Sequence, residues 1–334
     1  MYTLELTTWP GILPALCDEL DAAQIAYEVD SRRHSVCIQQ RALWPLRVPV
    51  YCAQSAFVVL DFAIPRPKAL LGQQYFDEII RTAQAIMHEH RFTTLQLDAA
   101  GSDSTVMQRI VTELAQRLNL QVVSTEGEFV VRIRPSALGW QVLLRLTPRP
   151  LGTRSWRVCN MPGALNAVVA AAMVRWAGLY DDDRILNVGA GSATLLIERA
   201  LMGPASMLVG CDVSADARAC AQRNIAAAQF QDRIAMHDWD ATALPLADAS
   251  VDLILADLPF GQLIGTHNSN TQLYPAVIHE ARRVLSPRGR MVLISHEIRL
   301  LHQTLTSMTS VRIADELQVE VGGMHPVMYL VQPA

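Results

Sequence analysis

The stretch Arg184–Leu201, "RILNVGAGSATLLIERAL", decides the fold. A short apolar run of strand character meets glycines at 189 and 191 and passes directly into a segment with helical spacing. Glycines let a backbone come close to a ligand, and a helix starting there aims its amides at it. A lone G-x-G is weak, so the surroundings must carry the reading. Outward from it the strand-then-helix order recurs. "MLVGCDV" leads to "ADARACAQRNIAAA", "RIAMHD" to a turn, "DLILAD" to "QLYPAVIHEARRVL", and "GRMVLISHE" to "IRLLHQTL". This alternation predicts a doubly wound α/β sheet with right-handed crossovers. The last two runs, "RIADELQVEVGG" and "HPVMYLVQP", predict an antiparallel hairpin.

Successive strands of this half end in Asn187, Asp212, Asp238 or Asp240, and Asp257. Ligands of such sheets bind beyond the carboxyl ends of the strands, and an acid about twenty residues past the glycine turn commonly holds ribose hydroxyls. A ligand containing a nucleoside is therefore expected, against the plainer reading of the same acids as turn residues. Dinucleotide oxidoreductases share the loop and the ribose acid. Here Thr194 stands where their third glycine would be, and the chain ends in a hairpin instead of a second mononucleotide half. The run Ile254–Gly261, "ILADLPFG", closes a buried strand with a carboxylate, a proline, an aromatic ring and a glycine.

The front half reads as α+β. "YTLELT", "IAYEV", "SVCIQ" and "SAFVVLDFAI" are strand-like, and Pro10 to Ala23 has helical spacing. "YFDEIIRTAQAIMHEH" places Phe76, Ile79, Ile80, Ala83 and Met87 on one helical face. A second helix, opened by Ser102 to Ser104, carries Val106, Ile110, Leu114 and Leu118. "TLQLDA", "QVVSTEGEFVVRIRP" and "WQVLLRLT" supply further strands before Pro148, Pro150 and Gly152 mark a boundary. That boundary is also basic: Arg145, Arg149, Arg154 and Arg157 flank Trp156 with no acid among them. Such a cluster suits a phosphate backbone with the indole stacking on a base, and equally suits a solvated linker.

At 334 residues, 51% of them hydrophobic, the chain has ample core for two or three domains, and its formal net charge of -4 confines any nucleic-acid surface to a local patch. Lys68 is the only lysine, a bias that base composition of the genome explains as well as phosphate binding does. Six cysteines form no C-x-x-C pair and several sit in apolar runs, so buried free thiols are expected in place of a zinc site or a disulfide framework. No signal-peptide pattern and no run long enough to span a bilayer is present, which reads as a soluble cytoplasmic protein with no membrane partner. His88 and His90 lack a third ligand in the sequence pattern, so no metal is expected. The acids Asp181 to Asp183 read as a solvated turn, His296 and Glu297 as capping residues, and Trp9, Trp44 and Trp140 as core or interface residues.

The second half resembles the class I methyltransferases that use S-adenosylmethionine. "ILNVGAGSATLLIERA" is similar to their methionine-binding loop, "VGCDVS" to their ribose strand, and "HDWDATALPLADASVDLILADLPFG" to the adenine acid followed by the D/N-P-P-F/Y motif of amino-nitrogen methyltransferases. The front half resembles a ferredoxin-like domain followed by a THUMP domain. "LGTRSWRV" with "MPGALNAVVAAAMVRWAG" resembles the linker and entry helix of the tRNA (guanine-N2) methyltransferase family.

The resemblance implies domains at 1–60 (ferredoxin-like), 61–148 (THUMP), 149–162 (linker) and 163–334 (methyltransferase). It implies methyl transfer from S-adenosylmethionine to the N2 amine of a guanosine in the acceptor-stem region of tRNA, by a monomer and without a metal. Cofactor residues would be Asn187, Gly189, Gly191, Ser192, Thr194, Asp212, Val213, Asp240, Ala241 and Asp257. Asp257 and the carbonyl of Leu258 would accept the amine hydrogens, Pro259 would fix the turn and Phe260 would stack on a base removed from its helix. Arg149, Arg154 and Arg157 are the candidate RNA contacts. The sequence departs from the family pattern at Asn187, where an acid usually faces the ammonium of the cofactor, and at Ala193, usually a glycine. Those departures motivate one alternative, an RNA-binding relative without catalysis. The other is an rRNA or DNA amino-methyltransferase.

Overall fold

The computed structural model describes residues 1–43, 45–46, 48–259 and 267–334. These form two compact units, one of Met1–Thr8 with Cys17–Gly152 and one of Trp9–Leu16 with Thr153–Ala334.

The first unit contains β1 (Tyr2–Thr7), β2 (Tyr27–Asp30), β3 (Ser35–Gln40), β4 (Ser55–Phe62), β5 (Thr94–Ala99), β6 (Gln121–Val122), β7 (Phe129–Ser136) and β8 (Gly139–Arg145), with helices α2 (Gln73–Glu89) and α3 (Thr105–Leu118). Helix α1 (Leu13–Ala22) precedes β2. The strands lie in the order β2-β3-β1-β4-β8-β7-β5-β6. Because β4 pairs antiparallel with β8, setting Phe57 opposite Arg145, strands from before and after residue 60 build one sheet. The expected single strand over "QVVSTEGEFVVRIRP" is in fact two, β6 and β7, interrupted where Glu126 takes a φ of 54°. A left-handed residue cannot continue a pleat. On α2 the buried face runs through Ile86, with Met87 half-exposed, and on α3 Met107 is buried in place of Val106. On α3 the period of 3.6 places Met107, not Val106, on the core side with Ile110, Val111 and Leu114.

In the second unit follow α4 (Ala167–Trp176), β9 (Arg184–Val188), α5 (Thr194–Leu201), β10 (Met207–Cys211), α6 (Ala215–Ala227), β11 (Ile234–His237), β12 (Val251–Asp257), α7 (His267–Val284), β13 (Leu285–Ser295), α8 (Ile298–Ser307), β14 (Val311–Gln318) and β15 (Val327–Pro333). The sheet order is β11-β10-β9-β12-β13-β15-β14. The five strands from β11 to β13 are parallel, and the terminal hairpin adds antiparallel through β15. Central β9 and β12 are apolar and buried almost throughout, as parallel strands covered on both faces must be. Entry helix α4 is capped by Asn166, whose side chain accepts from Val168 and Val169, and every residue from Ala167 to Val174 is buried. Asp183 corrects the expected solvated turn: it is buried and paired with Arg290 at 3.0 and 2.6 Å, fixing the loop before β9 against β13. No described helix is long and apolar enough to cross a membrane.

Candidate active site

Strand order reverses between β9 and β12, so the carboxyl ends of β10, β9 and β12 surround one crevice edge. At the end of β9 the chain turns through Gly189 and Gly191, both left-handed at φ 59° and 53°, and a Cβ at either would meet nothing within 4 Å. Open space beside a strained glycine turn is a cradle that backbone geometry, not crowding, reserves for glycine. Ala193 also has a left-handed φ of 62°, and α5 begins directly after it at Thr194. The family's usual glycine would carry no Cβ cost there.

Asn187 is 1% exposed. Its Nδ2 donates to the Leu255 carbonyl at 2.9 Å, while Oδ1 is buried without a partner among the described residues. A carbonyl can only accept, which fixes the amide's orientation and leaves Oδ1 as a buried acceptor. Asp212 follows β10 and accepts from the backbone amides of Gly191 and Ser214, both at 2.9 Å. Its neighbour Val213 is 66% exposed, an apolar side chain left in water beside that acid. Asp240 accepts from the amide and hydroxyl of Thr242, which hold it below the usual carboxylate range. Asp238 is paired with Arg218 at 2.9 Å, whereas Asp240 has no ion-pair partner among the described residues, so of the two candidate acids after β11 Asp240 is the one whose charge is not already matched. Ala241 packs on the core beside Trp239.

Asp257 ends β12, and burial pushes its carboxyl up to about 7. The next amide, of Leu258, donates to the Ile294 carbonyl at 3.0 Å, and the Pro259 carbonyl accepts from Asn270 and Tyr274. Phe260, Gly261 and Gln262, like Trp44, lie outside the described residues.

The strap before α4 departs from expectation. Arg154 is not a surface base: its guanidinium makes two bonds, at 2.8 and 3.1 Å, to Glu198, which is fully buried. Arg157 bonds to the Leu165 carbonyl and to Thr194 Oγ1 at 2.9 Å, and burial lowers its pKa. Trp156 is 5% exposed and Arg145 is spent on the carbonyls of Gly127, Glu128, Thr147 and Pro148, leaving Arg149 as the exposed arginine of the cluster. The same strap overturns the expectation of six free thiols: Cys159 is disulfide-bonded to Cys220 of α6, whereas Cys17, Cys37, Cys52 and Cys211 are free. Asn224, one turn beyond Cys220 and fully buried, joins the Cys159 backbone to the Ser192 carbonyl of the glycine turn. Glu297, expected to cap, makes no side-chain cap to α8; it contacts His267 and Asn270 instead.

A doubly wound sheet, a glycine turn and a row of acids at the strand ends define a nucleoside-binding domain of the methyltransferase class. Residues 154–327 match the UPF0020 family, described as an RMKL-like methyltransferase domain, and the chain belongs to that family. It is 28% identical over 355 aligned residues to the tRNA (guanine(6)-N2)-methyltransferase of Thermus thermophilus, covering 98% of this chain and 99% of that one. It is 31% identical over 182 residues to human tRNA (guanine(6)-N(2))-methyltransferase THUMP3, but spans only 36% of that protein's length. The crystal structure of TrmN from Thermus thermophilus shares the fold, with a TM-score of 0.77, 24% identity and full coverage of both chains.

Proposed function

We propose that the chain transfers a methyl group from S-adenosylmethionine to the exocyclic N2 of a guanosine in tRNA, at position 6 as its relatives' names specify. The observation that carries this reading is Asp257, a half-buried carboxylate at the carboxyl end of central strand β12, which pairs with β9, the strand that runs into the glycine turn. The residues present fit the cofactor. The free Asn187 Oδ1 suits the ammonium of its methionine part, Asp212 the ribose hydroxyls, and Asp240 with exposed Val213 the adenine. When bound, the cofactor supplies a methyl group on a positively charged sulfur.

The N2 lone pair is delocalised into the purine, so the protein's task is to orient it. Asp257 and the Leu258 carbonyl accept its two hydrogens and aim the lone pair at the methyl carbon. S-adenosylmethionine would supply that carbon, its sulfur keeping the electron pair of the bond given up. The nitrogen then sheds a proton, for which a carboxylate pushed up to about 7 is a competent acceptor at neutral pH. We propose further that residues 61–148 form the THUMP domain that holds the RNA and that 149–162 link it to the methyltransferase domain. The test is transfer of radiolabelled methyl to an unmodified tRNA transcript with guanosine at position 6, against the same transcript with adenosine there. Label confined to the guanosine transcript and abolished by Asp257→Ala supports the reading; label on rRNA or DNA in preference to tRNA overturns it.

A further inference from the structure

The turn after β12 is gripped from behind. Leu258 is pinned at its nitrogen, through the 3.0 Å bond to Ile294 of β13. Pro259 has no N–H, but its carbonyl accepts two hydrogen bonds, from Asn270 Nδ2 at 2.8 Å and from the Tyr274 hydroxyl at 2.6 Å. Asn270 and Tyr274 are four residues apart on α7, share one face, and are both fully buried. The Leu258 carbonyl lies between these two fixed points.

The donors are themselves held. The Tyr274 hydroxyl lies 2.7 Å from Ser295 Oγ, also fully buried. Because a carbonyl cannot donate, Tyr274 gives its proton to Pro259 and receives one from Ser295, whose oxygen accepts from the Glu297 amide at 2.9 Å. The second hydrogen of Asn270 Nδ2 goes to Glu297 Oε1 at 2.5 Å, and Glu297 Oε2 meets His267 Nδ1 at 2.5 Å. A phenylalanine and a leucine would fill the same apolar space with no buried polar atoms to satisfy. The fold instead buries a hydroxyl and an amide and aims both at one backbone oxygen beside Asp257.

We propose that Tyr274 and Asn270 are positioning residues for the methyl transfer: by fixing the Pro259 carbonyl they hold the Leu258 carbonyl at the angle to Asp257 that the target amine requires. This rests on the function proposed above. The methyl donor and the rest of the tRNA bind through other groups, so loss of the clamp leaves both affinities close to wild type and slows the chemical step. A displacement of about 1 Å at a reacting group costs on the order of 100-fold in rate.

The experiment is single-turnover methylation of the unmodified tRNA transcript by full-length wild type, Tyr274→Phe and Ser295→Ala, with separate titrations of tRNA and S-adenosylhomocysteine. Tyr274→Phe keeps the ring and its packing, and Ser295→Ala touches the clamp without touching Pro259. The expected result is a rate lowered on the order of 10–100-fold for Tyr274→Phe, less for Ser295→Ala, with both dissociation constants within about twofold of wild type. A Tyr274→Phe rate within about threefold of wild type, or a rate loss matched by an equal loss of tRNA affinity, overturns the proposal. Wild type that binds the cofactor yet methylates no tRNA overturns the functional reading itself, and the clamp's role with it, before any variant is compared.

Discussion

Asn187 donates across the sheet from Nδ2 to the Leu255 carbonyl of β12, a bond that sets which way its side-chain amide points. With Nδ2 committed to the Leu255 carbonyl at 2.9 Å, the polar atom left to the side chain is an acceptor, its oxygen. Asn187→Ala removes that acceptor and is expected to weaken S-adenosylhomocysteine binding about 5- to 30-fold by calorimetry. Asn187→Asp sets a carboxylate against the Leu255 carbonyl, which should lower the melting temperature of the free protein. Pairing with the ligand's ammonium then offsets the cost, so saturating S-adenosylhomocysteine raises the melting temperature of Asn187→Asp by more than it raises that of wild type. Equal shifts would place the ammonium away from residue 187.

Asp257 has a signature in pH. Its carboxyl is pushed from 3.8 up to about 7 by burial, so the folded state holds its proton more tightly than the unfolded chain. Its contribution to stability is therefore fully present below about pH 4 and lost as pH rises through 7. Asp257→Asn, which never ionises, should match wild type at pH 4 and exceed it at pH 8.5 by at most ~4 kcal/mol. Catalysis runs the other way, since only the carboxylate accepts the amine hydrogen. The methylation rate of wild type should fall below pH 7, and Asp257→Asn should be slower on the order of 100-fold or more. A rate flat from pH 5.5 to 8.5 in single turnover removes Asp257 from the chemistry.

The sheet of the second unit was legible because its strands alternate with helices at regular intervals, and the acids at their ends repeat. Asn187, Asp212 and Asp257 could be named as strand-end residues from that pattern, while Asp238 and Asp240 stayed alternatives until the Arg218 pair of Asp238 was seen. What the chain hides are partnerships across long separations. Nothing in "SWRVCN" announces that Cys159 meets Cys220 or that Arg157 reaches Thr194, because both depend on how the strap crosses α5 and α6. Tyr274 and Ser295 look like ordinary amphipathic positions on a helix and a strand. Only the fold shows their hydroxyls converging behind Pro259. The error over Arg154 has the same origin: a basic linker residue reads as solvent-facing until its buried acid, Glu198, is placed beside it.

The Cys159–Cys220 bond closes a segment with a sequence separation of 61 and ties the strap to α6. Chain-entropy arguments give such a closure about 4 kcal/mol. Thiol titration in denaturant should find four reactive groups before reduction and six after, and a Cys159→Ser, Cys220→Ser double variant should melt lower than wild type under non-reducing conditions. Six reactive thiols in the untreated protein would show that the pair stays reduced.

Two arginines of the strap region separate stability from RNA binding. Arg154 is paired with Glu198, which is fully buried, so Arg154→Ala strands a carboxylate in the core. Removing one partner of a buried pair costs about 3–5 kcal/mol, and the variant should lose stability to urea by that order. Arg149 lies exposed at the edge of the first unit and touches phosphate only if RNA runs there. Arg149→Ala should leave the melting temperature unchanged, weaken tRNA binding and reduce the slope of log affinity against log salt by about 1. An unchanged salt slope for Arg149→Ala, with tRNA still bound tightly, would move the RNA path off this strap altogether.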